Sequence, residues 1–250
     1  MKEIILKKIK EIEESHNIEV LYACESGSRA WGFASEDSDY DVRLVYKQKI
    51  DNYLSVVDTS DFIDMPIDEV WDFNAWDIKK VLVLLIKSNT TVFEWLQSPI
   101  VYKEAEGFRV AMWALSHDYY CQQTHTHHYL GLAKKMLLEH TDEQVKYKTL
   151  FYILRALLSA KWNVEFNRIA PMEFKPLLKV VNDDKLTAYI LLLIKEKEGL
   201  TEKDWYTWDA RLKDYVYDLY ESLSKVTVVK SKGSFDNELV NRFFRKEVRQ

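Results

Sequence analysis

Gly27-Ser28 and Asp39-Tyr40-Asp41 stand a short helix and a loop apart, and each is joined to an apolar run. Ile18 to Cys24 leads into the first, and the second opens the run Tyr40 to Tyr46. That order commits the chain to strand, tight turn, short helix from Ser28 to Trp31, polar loop from Gly32 to Ser38, and second strand. A Gly-Ser turn at a helix start offers free backbone N–H groups and a hydroxyl to a phosphate. Asp39 and Asp41 flank Tyr40, and strand alternation puts both carboxylates on one face. Unpaired, such neighbours repel; a Mg²⁺ ion between them removes the repulsion. A phosphate cradle beside a metal-binding carboxylate pair is the equipment of nucleotidyl or phosphoryl transfer. On its own an acidic cluster is more often a capped, solvated loop, and it is the preceding Gly-Ser turn that favours the metal reading.

Downstream, residues 2–15 carry isoleucines at helical spacing and end near Asn17. Lys47 to Asp64 shows no clear period. Ile67 to Phe73 alternates apolar and acidic residues as a third strand should, with Asp68, Val70 and Asp72 on one side. Asp72 is the expected third carboxylate, Asp68 is the reserve, and Glu69 faces away. Asp77 starts a helix carrying Ile78, Val81, Leu82 and Leu85, and Thr90 to Leu96 is a further helical segment. Beyond about Ala105 helical periods dominate: 108–120, 126–139, 143–162, 174–181, 185–197 and 205–224. Only Val226 to Val229 looks extended. The expected architecture is an α/β module over 1–105 followed by an all-helical domain over 106–250.

Composition narrows the class. At 250 residues, 47% hydrophobic and 30% charged, the chain can bury a core. The apolar run Val81 to Ile86 lies between lysines and is too short to cross a bilayer. The N-terminus lacks the apolar segment of a signal peptide, and two cysteines form no framework. The expected location is the cytoplasm, with no membrane partner. A net charge of −5 argues against a general nucleic-acid coat. From Lys225 onward, however, seven Lys/Arg stand against three Asp/Glu. That basic tail points weakly to a polyanion and equally fits a solvated terminal helix.

Several side chains have two readings. Arg29 follows the cradle and could clamp a triphosphate; the alternative is a surface Arg paired with Glu25 or Glu36. Lys148, Tyr152 and Arg155 share one helix face, where they could neutralise phosphates and stack on a base, or simply be solvated. Lys79 or Lys80 could balance the carboxylates; a solvent-facing pair is the simpler reading. His125, His127 and His128 lack the spacing and partners of a zinc site and read as helix surface. Cys24 reads as a buried strand residue, and the tryptophans as packing groups.

The Gly27-Ser28 and Asp39-Tyr40-Asp41 pair resembles the signature of the DNA polymerase β-type nucleotidyltransferases. Three segments resemble, more narrowly, the RNA-repair, ligase-associated (RlaP/YcgL-like) family: Glu25 to Phe33 with Asp37 to Arg43; Trp76 to Lys80 through Glu94 to Tyr102; and Lys146 to Lys148 through Tyr152 to Leu158, ending at Lys161-Trp162. The resemblance covers about residues 20–180. It implies a small mixed sheet flanked by helices (an α+β nucleotidyltransferase module), then a helical bundle. It implies that Gly27 and Ser28 hold the nucleotide phosphates, that Asp39, Asp41 and a third acid such as Asp72 hold Mg²⁺ (or Mn²⁺), and that NMP passes from an NTP to a hydroxyl, with an RNA end as the favoured acceptor. A protein side chain or a small molecule is the alternative acceptor, and a non-catalytic nucleotide-binding scaffold is the third reading.

Overall fold

The computed structural model describes residues 1–65, 70–139, 143–228 and 236–249. The chain divides into two units. The first is built on a five-stranded sheet. Helix α1 (Lys2–His16) buries Ile5, Ile9 and Ile12 and stops at Asn17, which adopts the left-handed conformation at φ 53°, one that Asn tolerates. Strand β1 (Glu19–Glu25) leads into α2 (Gly27–Trp31) and β2 (Tyr40–Lys47). The stretch without a clear sequence period holds the one-turn helix α3 (Ile50–Tyr53) and the edge strand β3 (Phe62–Asp64). Strand β4 (Trp71–Asp77) runs directly into α4 (Ile78–Ile86). The Asp77 carboxylate caps α4 by accepting from the Lys79 N–H at 2.7 Å. Helix α5 (Thr90–Leu96), strand β5 (Val101–Glu104) and helix α6 (Phe108–Ser116) follow.

The sheet order is β3-β4-β2-β1-β5. Strand β1 pairs antiparallel with β2 and β5, β3 pairs antiparallel with β4, and β2 pairs parallel with β4. Val42, Leu44, Tyr46, Phe73 and Ala75 pack on the isoleucines of α1. By alternation, Asp41 and Arg43 of β2 and Asp72 and Asn74 of β4 lie on the opposite face.

The second unit comprises Trp31–Ser38 and the chain from Cys121 to Val228. Its elements are α7 (Gln122–Glu139), β6 (Gln144–Lys146), α8 (Tyr147–Phe166), α9 (Phe174–Leu177), α10 (Asp184–Glu198), β7 (Trp205–Thr207) and α11 (Ala210–Ser224). Apart from the three-residue pairing of β6 with β7, it is helical. Its core gathers Phe33, Phe151, Leu154, Phe174, Ile190 and Val216. The last helix, α12 (Asn237–Arg249), returns to the first unit. There Phe243 lies 6.0 Å from Phe108, and Phe244 lies 5.1 Å from Tyr53.

Three expectations need adjustment. The third strand is described from Trp71 and runs on to Asp77, past the expected end at Phe73, with Phe73, Ala75 and Asp77 buried; Ile67 lies outside the described residues. Asp68 and Glu69 lie outside the described residues, as does Val229, while Val226 to Val228 form no strand. Residues 106–120 group with the sheet and 31–38 group with the helices, so the division does not fall at 105/106. Phe108 is the reason at the first of these boundaries: it is buried against Tyr22 of β1, at 6.4 Å between ring centroids.

Candidate active site

Parallel register places Asp41 directly beside Asp72. Both carboxylates reach one guanidinium: Arg43 Nη2 donates to Asp41 Oδ1 at 2.8 Å and to Asp72 Oδ2 at 2.7 Å. Arg43 Nη1 also donates to the Asp72 carbonyl at 2.9 Å. Arg43 stands two residues after Asp41, so alternation alone brings it to the same face. The cation between the carboxylates is Arg43 and not Lys79 or Lys80. Those lysines follow Asp77, at the far end of β4, and Lys80 pairs with Asp61 at 3.0 Å.

The Gly-Ser turn meets this pair. Gly27 has φ +59°, and a Cβ added there would lie 1.9 Å from Asp41 Oδ2. The carboxylate therefore rests on the space that the glycine leaves open. The Ser26 N–H donates to the Asp41 carbonyl at 2.8 Å, and Ser28 is buried. Beneath the turn Glu25 is fully buried. Its carboxylate accepts from the Asp41 N–H at 2.9 Å and from the Tyr102 hydroxyl. Burial, set against these hydrogen bonds, holds the Glu25 carboxyl above its ordinary range. Sequence reasoning gave Glu25 no role beyond pairing with Arg29. Its signal was a lone acid closing an apolar strand.

Asp39 lies before β2 and is exposed, so strand alternation does not govern its side chain. Arg29 Nε donates to the Asp39 carbonyl at 3.0 Å, and its guanidinium stands 4.0 Å from the Tyr40 ring centre. The Arg29 charge also acts on the Glu25 carboxyl, in the sense that lowers its pKa. Among the described residues no group of three or more His, Cys, Asp or Glu side chains is gathered closely enough to hold a metal ion. Asp41 and Asp72 fit one nonetheless: two oxygen donors converge on a single cationic atom, and hard divalent ions take oxygen ligands.

The helical unit holds the other expected nucleotide contacts. Lys148 Nζ donates to Glu202 Oε2 at 2.5 Å. Tyr152 meets the Trp31 ring edge-on at 4.8 Å. Arg155 is buried; its Nε donates to the Met172 carbonyl at 3.2 Å and its guanidinium packs 4.2 Å from the Trp31 ring centre. It is a packing group rather than a surface cation, so the phosphate role expected of it is not carried forward. His125 is also buried, on the α7 face that carries Tyr129, Ala133 and Leu137, and not on the helix surface. Cys24 is fully buried, and burial pushes its thiol up to about 12.

A polar network anchored on one buried lysine holds the loop between cradle and carboxylates within the helical unit. Lys197, fully buried, donates to Ser35 Oγ at 2.6 Å. Ser38 Oγ donates to Glu202 Oε1 at 3.3 Å, and Asp37 accepts from the Glu202 N–H at 3.0 Å. Burial lowers the Lys197 pKa from its ordinary 10.5, and Lys148 lowers it further, against Glu202 and Asp37, which raise it. Below 10.5 there is therefore a pH range where the unfolded chain keeps a proton that the folded one releases, so stability rises with pH there. The melting temperature of the wild type, measured relative to Lys197→Met, is expected to climb as pH approaches 10.5. Tyrosines with raised pKa values act in the opposite direction but equally in both proteins. A flat difference would refute the buried charge.

The guanidinium bridge yields a second expectation. In Arg43→Met, Asp41 and Asp72 face each other uncompensated, at a cost of about 1–3 kcal/mol. Mg²⁺ should then raise the variant's melting temperature more than the wild type's. Equal shifts would mean that the two carboxylates do not converge on one cation.

The sheet, the glycine turn under Asp41 and the strand carboxylates together describe a polymerase β-type nucleotidyltransferase module. The comparisons agree. The family model RlaP, described as the RNA repair pathway DNA polymerase beta family, matches residues 1–246, and the chain belongs to that family. It is also 37% identical over 206 residues to the uncharacterized protein YcgL of Bacillus subtilis (strain 168), covering 82% of this chain and 79% of that one. A nucleotidyltransferase-like function goes with the family.

Proposed function

We propose that this protein is a Mg²⁺-dependent nucleotidyltransferase that moves NMP from an NTP to a hydroxyl at an RNA end and releases pyrophosphate. The observation that carries the reading is the seating of the Asp41 carboxylate on Gly27. It sets the Gly-Ser turn against the carboxylate pair, which supports a phosphate site beside a metal site. Backbone N–H groups at Gly27 and Ser28, with the Ser28 hydroxyl, receive the β- and γ-phosphates. Asp41 and Asp72 hold Mg²⁺, with Asp39 beside them in sequence. Glu25 fixes the Asp41 backbone, and Arg29 fixes that of Asp39. When bound, Mg²⁺ lowers the pKa of the attacking hydroxyl and offsets charge on the departing pyrophosphate. The acceptor oxygen bonds to the α-phosphorus, the bond to pyrophosphate breaks, and the hydroxyl proton passes to solvent water.

RNA is favoured as acceptor by the description of the family and by the cationic last helix. A cytoplasmic location suits such a substrate; no helix among the described residues is long and apolar enough to cross a membrane. The test is incubation with Mg²⁺ and each α-labelled NTP, with pooled RNA, with protein extract and alone, read on denaturing gels. Label on RNA is the expected result. Label on protein alone would transfer the chemistry to a different acceptor. No label anywhere, with no NTP binding by calorimetry, would overturn the assignment.

A further inference from the structure

Helix α12 carries Arg242, Arg245, Lys246 and Arg249 at positions i, i+3, i+4 and i+7, so the four cations form one stripe. All four are exposed. Arg245 pairs with Glu238, and Lys246 with Glu247 at 3.3 Å. Arg242 and Arg249 have no ion-pair partner among the described residues. The stripe spans about 10 Å of helix, over which one nucleic-acid strand presents about three phosphates. Each end of it opens on a surface hollow. Arg242 and Lys246 line a shallow, open depression of about 480 Å³ against Ala114 and Leu115 of α6, which Asp118 also lines. Arg249 lines a second hollow, of about 450 Å³, with Lys49.

The other face of α12 is spent on packing: Val240 is buried, and Phe243 and Phe244 lie against Phe108 and Tyr53. A helix that lies on a lipid surface must instead present an apolar face to it. The stripe therefore suits a hydrated polyanion better than a bilayer. Its position adds to the argument. Lys47 Nζ donates to the Glu247 carbonyl at 3.3 Å, which fixes α12 at the end of β2. Asp41 lies near the start of that strand, about 20 Å away at the usual rise per residue. A mononucleotide cannot reach both places; a polynucleotide can.

We propose that the exposed face of α12 docks the phosphate backbone of the RNA whose end is the acceptor, an inference that rests on the RNA reading above. The experiment is fluorescence polarisation of a labelled RNA hairpin with a single-stranded 3′ overhang, titrated with the full chain between 50 and 200 mM salt. The Arg242→Gln/Arg249→Gln double variant is expected to bind about tenfold more weakly at 100 mM salt. Its plot of log affinity against log salt should be shallower by about 1.4–1.8, the contribution of two phosphate contacts. Mg·NTP binding by calorimetry should not change. Asp41→Ala should bind the hairpin as the wild type does. Lys7→Gln/Lys10→Gln, which removes two cations of α1 already paired on that helix, should do the same.

Equal affinity and slope for wild type and double variant would overturn the proposal. An equal loss in the α1 variant, or no hairpin binding by the wild type, would do so as well. Loss of binding to vesicles of 30% phosphatidylserine with hairpin affinity intact would also overturn it, and would assign the stripe to a membrane. If the hairpin binds through the stripe and no NTP labels it, the docking surface stands and the catalytic reading falls.

Discussion

Gly27→Ala is expected to slow nucleotidyl transfer by about 100-fold and to destabilise the fold. Two independent costs meet at this position. A residue with a Cβ at φ +59° costs about 1–2 kcal/mol in backbone strain alone. The Cβ would also stand 1.9 Å from Asp41 Oδ2 and 2.8 Å from its Cγ. These atoms belong to a short side chain on a central strand, held through Arg43, and they cannot retreat without leaving Asp72. Either the turn opens or the carboxylate is displaced by an ångström or more. A displacement of that size costs about 100-fold in rate. Urea denaturation and transfer of α-labelled NTP, measured on the same preparation, check both effects. Wild-type stability with wild-type transfer would show that the turn and the carboxylate are not in contact.

Asp41→Ala separates chemistry from folding. Val42, Leu44 and Tyr46 pack on the other side of β2 and are untouched, and Arg43 keeps Asp72 as its partner. The loss in stability should therefore be small, about 1 kcal/mol for a pair that is partly exposed. Transfer should fall by about a thousandfold or more, because several kcal/mol of charge stabilisation go with a metal ligand. Circular dichroism melts and labelled gels distinguish the two. Transfer within tenfold of wild type would remove Asp41 from the catalytic centre.

The sequence was informative wherever a local rule acted alone. The isoleucine period of α1, the Gly-Ser turn, the apolar run of β2 and the Asp77 cap each follow from nearest-neighbour chemistry, and each stands where the sequence places it. It was less informative where tertiary pairing decides. Strand β4 is fixed by its parallel register with β2, which carries it through Asp77, beyond the Phe73 at which the sequence alternation ends. Strands β6 and β7 exist only because each has the other, and three residues leave no period to read. In the candidate site Asp41 and Asp72 could be named, whereas the cation between them could not. Arg43 looked like one more charge on a strand until the register put two acids beside it. Arg155 failed in the opposite sense: a basic residue on a promising face is stacked indoors on Trp31.

The return of α12 to the sheet has a consequence for how the molecule is made. Domains emerging from the ribosome generally fold in order of synthesis, N-terminal first. Here the unit whose strands are translated first lacks the helix that covers Phe108 and Tyr53 until the whole helical unit has been translated. The nascent sheet must wait with aromatic surface uncovered, and its completion is deferred until α12 has been translated. Any ribosome stall or frameshift downstream of α11 leaves a product whose damage lies in the unit synthesised first.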